Sequence, residues 1–113
     1  MFKGLFKRSS GVREVGVEEA RRKLESGQAV VLDVRQPGEW RGGHIVEALH
    51  IPLGELGARV AEIPRDREVL TICRSGNRSK SAAESLGREG FERVASVAGG
   101  MRDWESRGYP VQR

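Results

Sequence analysis

Cys73 is the only cysteine in the chain, and it stands in the run Ile72-Cys73-Arg74-Ser75-Gly76-Asn77-Arg78-Ser79. Glu68 to Ile72 before it reads as a short buried strand, and Ser79 opens a helical pattern. A nucleophile that leaves a strand, crosses a glycine-containing turn and meets a helix start sits where successive backbone N–H groups can converge on one point. The helix N-terminus adds partial positive charge there, and Arg74 and Arg78 add full charges. Gly76 gives the turn a backbone freedom that other residues lack. All of these features favour thiolate over thiol, so the pKa of Cys73 is expected below the free value of about 8.5. The competing reading is a small buried hydrophobe at a strand end. Two arginines flanking the glycine turn weigh against it.

With one cysteine there is no internal disulfide and no resolving thiol, so anything loaded on Cys73 must leave to an outside acceptor. Asp33 ends the apolar run Ala29-Val30-Val31-Leu32-Asp33-Val34, where a bare carboxylate is costly. It is expected to anchor neighbouring backbone or Arg35, a supporting role. Arg35 is expected either to reach the crevice or to pair with Glu39. His44 and His50 have no convincing ligand spacing, so neither a metal nor another cofactor is expected. Trp40 and Trp104 are read as packing under short helices, and Gly99 and Gly100 as letting the backbone turn close to the pocket.

The elements that must hold these residues alternate along the chain. Strands are expected at Glu14-Val15, Ala29 to Val34, Ala48 to Ile51, Glu68 to Ile72 and Val94 to Val97. Helices are expected over Val17 to Glu25, Leu53 to Ala61, Ser79 to Arg88 and Met101 to Arg107, with a helical turn from Pro37 to Trp40. This order implies one doubly wound α/β domain over residues 13–113, with a mostly parallel sheet and helices on both faces. Such sheets bind ligands beyond the C-terminal ends of their strands. Asp33-Val34-Arg35, Cys73 to Arg78 and Ala98-Gly99-Gly100 then border one crevice. Residues 1–12 read as a flexible basic tail.

Hydrophobic residues make up 37% of the chain and charged residues 32%, with a net charge of +4. The cations are interleaved with Asp and Glu rather than with aromatics, which argues against nucleic acid as a partner. No apolar run is long enough to cross a membrane. The first residues lack the apolar core and cleavage site of a secretory signal, so a cytoplasmic location is expected.

Four segments in order resemble the rhodanese family, specifically its single-domain members. Asp33-Val34-Arg35, Glu39-Trp40 and Gly42-Gly43-His44-Ile45 are similar to its first signature, and Ala48-Leu49-His50-Ile51-Pro52 to its second. Cys73 to Ser79 resembles the active-site loop, and Gly99-Gly100-Met101-Arg102-Asp103-Trp104 the closing motif. The likeness covers about Val15 to Val111. It implies a doubly wound α/β domain, a persulfide-forming cysteine at Cys73 and anion contacts from Arg74, Arg78 and the loop amides, with Ser75, Gly76, Asn77 and Ser79 completing the loop. The activity implied is transfer of a sulfane sulfur from thiosulfate or a similar donor to cyanide or a thiol. The partners are then small sulfur-containing anions, thiol acceptors and, in a second version, a sulfur-relay protein. The chain departs from the pattern at Glu47, where many relatives have glycine. If that position needs positive φ, the turn after Ile45 must differ or carry strain.

Three rival readings follow from the same residues. A cysteine-dependent phosphatase or arsenate reductase uses a related loop, but four residues separate Cys73 from Arg78 here, against about five in most such loops. A binding module without chemistry would have no need of the complete cysteine loop. A carrier loaded by a protein partner would use the same loop as the enzyme.

Overall fold

The computed structural model describes residues 12–113; most of the tail assigned from sequence, residues 1–11, lies outside them. The elements are β1 (Glu14–Val15), α1 (Val17–Glu25), β2 (Ala29–Asp33), α2 (Pro37–Arg41), β3 (Leu49–His50), β4 (Glu68–Ile72), α3 (Asn77–Arg88), β5 (Val94–Val97) and α4 (Gly100–Ser106). The strands form one sheet in the order β1-β5-β4-β2-β3, and every neighbouring pair is parallel.

The central strands β2 and β4 are apolar on both faces because both faces are covered. Val31, Leu70, Ile72, Ala95 and Val97 pack with Val17 and Ala20 of α1 and with Met101 and Trp104 of α4. Leu32, Val34 and Val69 pack on the other side with Ala82 and Leu86 of α3, with Leu56, Ile63 and Phe91, and with Cys73 itself. Each fully buried Val, Leu or Ile side chain contributes about 1.5–3 kcal/mol through lost apolar exposure. The cysteine therefore begins its loop from within the buried core.

The helix expected over Leu53 to Ala61 is absent. Two 3₁₀ segments, Leu53–Glu55 and Gly57–Glu62, stand in its place, the second interrupted at Arg59 with φ −120°. Gly54 and Gly57 penalise a continuous α-helix, and the apolar spacing of Leu53, Leu56 and Val60 is met as well by three-residue turns. Leu56 and Ile63 still reach the core. α3 begins at Asn77, two residues before the expected Ser79, which draws Asn77 and Arg78 into its first turn. Glu47 is not strained: no non-glycine residue among those described has positive φ. The turn closes by an Ala48 N–H to Ile45 carbonyl bond of 3.0 Å.

Candidate active site

β4 delivers Cys73 to the C-terminal end of the sheet's middle strand, and the loop to α3 folds back over it. The Gly76 N–H donates to Cys73 Sγ at 3.1 Å and the Ser79 N–H at 3.3 Å. Gly76 reaches this position at φ +122°, a conformation that disfavours any side chain. The Ser79 hydroxyl lies 3.5 Å from Sγ. Burial pushes the Cys73 thiol up, yet the Ser79 hydroxyl and the amides of Ser79, Gly76 and Ser75 together outweigh it, and the pKa falls below its ordinary value.

The front of the loop is clamped by α4. Met101 N–H donates to the Cys73 carbonyl at 2.8 Å, and Arg102 N–H to the Arg74 carbonyl at 3.0 Å. Gly100 makes this approach possible: a Cβ there would stand 2.4 Å from the Cys73 carbonyl oxygen and 2.5 Å from that of Arg74. Behind the loop, Thr71 Oγ1 donates to the Ser79 carbonyl at 2.8 Å, and Ser96 Oγ on β5 lies 2.7 Å from Ser79 Oγ.

The expected site residues of the loop differ in burial. Cys73, Gly76 and Ser79 meet at one sulfur atom and are buried. Arg74, Ser75 and Asn77 are exposed, and the Arg74 guanidinium has no partner among the described residues. Arg78 is half-buried and pairs with Glu39 through both guanidinium ends, Nη1 to Oε1 at 2.7 Å and Nη2 to Oε2 at 2.9 Å. The second Glu39 interaction is with the Gln36 N–H, which caps α2. The Arg78 hydrogen bond brings Glu39 down to about 2, against the smaller opposing effect of burial.

Arg35 meets the expectation that Asp33 anchors it and not the expectation that it pairs with Glu39. Its guanidinium neither pairs with Glu39 nor turns towards the cysteine loop in any hydrogen bond; it grips Asp33, with Nε 2.9 Å from Oδ1 and Nη2 2.8 Å from Oδ2. Nη2 also donates to the Gly43 carbonyl at 2.8 Å. Asp33 accepts the Arg35 backbone N–H as well, at 3.0 Å. A single residue, Val34, between the acid and the base allows this local closure, and the buried carboxylate takes the nearest cation. The Val34 N–H donates to the Ile72 carbonyl at 3.0 Å, so the closed pair stands beside the strand that carries Cys73.

Three features escape a reading of the sequence. In the sequence Glu39 is a partner for Arg35 and part of the first signature, with no sign of its pairing with Arg78. Ser96 had one available signal, a lone hydroxyl in the apolar strand Val94–Val97. Trp40 of α2 also contacts two imidazoles, which the sequence does not signal. It stacks on His44 at 3.7 Å and on His50 at 4.6 Å, nearly parallel to both.

A doubly wound domain with a cysteine loop closed over one sulfur by backbone amides defines a class of anion- and sulfur-handling α/β proteins. The rhodanese-like domain model matches residues 16–107, and the chain belongs to that family. Among curated proteins it is 38% identical over 100 residues to the Bacillus subtilis protein named "Putative sulfur carrier protein YrkF", covering 88% of this chain and 54% of that one. The chain thus spans about half the length of that relative. Among solved structures, a rhodanese-related protein from Thermoplasma volcanium superposes with a TM-score of 0.82 at 34% identity, over 88% of this chain and 97% of that one. A human single-domain sulfurtransferase gives 0.77 at 26% identity, over 85% and 97%. No helix among the described residues is long and apolar enough to cross a membrane.

Proposed function

We propose that this protein transfers sulfane sulfur through a persulfide on Cys73. The observation that carries the reading is the convergence of the Gly76 and Ser79 N–H groups on the sulfur of the sole cysteine. In the first step the Cys73 thiolate attacks the terminal sulfur of a donor such as thiosulfate. The donor S–S bond breaks, its electron pair leaves with sulfite, and Cys73 holds the persulfide. In the second step cyanide or an acceptor thiolate attacks the outer sulfur and releases the Cys73 thiolate. The same amides that hold Sγ offer the outer sulfur a ring of donors.

Only 1% of Cys73 is exposed. A reactant must therefore present its reacting atom end-on, as a terminal sulfane sulfur does and a bulky phosphomonoester does not. Arg74, exposed at the mouth, meets a departing anion.

Mass spectrometry after incubation with thiosulfate should show one added sulfur atom, absent in Cys73→Ser. An unchanged mass together with no thiocyanate formed from cyanide would overturn the reading. A second version, a carrier loaded by a protein partner, is favoured by the similarity to the Bacillus subtilis protein. Rates with a desulfurase as donor, set against rates with thiosulfate, separate the two.

A further inference from the structure

Arg78 is the loop cation nearest the helix start, and it is already occupied. Both its terminal nitrogens hold both oxygens of Glu39, and Glu39 is itself fixed by the capping box of α2. Asp33 and Arg35 form a second closed pair beside the loop. Once Cys73 ionises, the formal charges of Arg74 and Arg78 are balanced by those of the thiolate and of Glu39, which holds Arg78, so these four groups together carry no net charge. A doubly charged donor gains little on entering such a site, and a doubly charged leaving group gains little on forming in it.

We infer that Glu39 determines donor specificity: by neutralising Arg78 it biases the loop towards thiol persulfides and away from donors that release sulfite. This rests on the sulfur-transfer reading of Cys73. With a persulfide R–S–SH, the Cys73 thiolate bonds to the outer sulfur and the donor S–S bond breaks. The electron pair leaves on the donor thiolate R–S⁻, and the proton stays on the transferred sulfur. No oxidant or reductant enters, and the charge to be stabilised on departure is single rather than double.

The test measures loading of Cys73 by mass, with thiosulfate and with cysteine persulfide, in the wild type and in Glu39→Gln. Glutamine keeps one acceptor oxygen for the capping role at this position, and removes the charge together with the second of the two acceptors that hold Arg78. The wild type should load faster from cysteine persulfide. Glu39→Gln should raise kcat/KM for thiosulfate by about fivefold, leave that for cysteine persulfide where it was, and lose its advantage at high ionic strength. An unchanged ratio between the donors overturns the inference, as does an equal fall with both, which would make Glu39 a support for the loop alone. Should Glu39→Gln unfold α2, Arg78→Gln tests the same point: with Glu39 bare, thiosulfate loading must fall further than cysteine persulfide loading. Failure of the wild type to take sulfur from either donor overturns instead the function on which the inference stands.

Discussion

Ser96 Oγ in the middle sheet layer lies 2.7 Å from Ser79 Oγ at the head of α3, and through it a strand interior touches the group beside Cys73. Ser79 has one hydroxyl proton and three acceptors in reach: Cys73 Sγ at 3.5 Å, the Gly76 carbonyl at 3.1 Å and Ser96. A Ser96 hydroxyl that donates to Ser79 leaves the Ser79 proton to turn towards the thiolate.

The hydroxyl pair should therefore be felt in the acidity of Cys73. Ser79→Ala raises the thiol pKa and lowers its alkylation rate near neutral pH by about fivefold, the worth of one hydrogen bond. Ser96→Ala acts in the same direction and less strongly. Iodoacetamide rates followed from acid to alkaline pH check this, since the thiolate alone reacts. Coincident profiles for all three proteins would show that the hydroxyls do not reach the sulfur.

Two glycines of the site should differ in their tolerance of alanine. Gly76→Ala meets nothing nearer than 3.8 Å and suffers only its positive φ, a cost of about 1–3 kcal/mol. Gly100→Ala adds a collision with the Cys73 and Arg74 carbonyls to a φ of +56°, and about 2–5 kcal/mol is expected in all. Urea unfolding of the two variants gives the comparison. Equal destabilisation would mean that α4 can retreat from the loop without loss.

Acid should dissolve the link between Glu39 and Arg78 late. The Glu39 carboxyl lies near 4.3 in an unfolded chain and at about 2 in the folded one. A depressed carboxylate contributes stability that is fully present above the unfolded value and is lost as pH falls through the folded one. Both side chains are about one-third exposed, so the contribution is below about 1 kcal/mol. Unfolding free energies of the wild type and Glu39→Gln should differ at pH 5 and converge near pH 2. A carbon-detected NMR titration placing Glu39 at an ordinary value would contradict this.

Arg74 should act through charge at long range. Its guanidinium is exposed and unpaired among the described residues, so Arg74→Gln slows thiosulfate loading by roughly threefold, and the loss shrinks as salt is added. A loss insensitive to ionic strength would instead indicate a direct contact.

The sequence patterns that proved most legible were those with one physical cause. Continuous apolar runs gave β2 and β4, because only a strand covered on both sides needs them. The glycine-containing loop between β4 and α3 was readable because its backbone must turn in a short space. The segment after Pro52 is ambiguous in sequence, because apolar residues three and four apart suit an α-helix and linked 3₁₀ turns alike. Ion pairing was the least legible. Asp33 with Arg35 was open to reading from a buried acid beside a cation, whereas only placement in space selects Glu39 with Arg78.

The grip of α4 on the carbonyls of Cys73 and Arg74 carries a consequence for the energetics of turnover. With those two oxygens engaged by Met101 and Arg102, the polarity of the first peptide units of the loop is set during folding. In the sulfur transfer proposed for Cys73, the dipoles around the sulfur then need little reorientation when charge arrives or departs, which favours both steps. A site prepared in this way is as ready to surrender its cargo as to collect it.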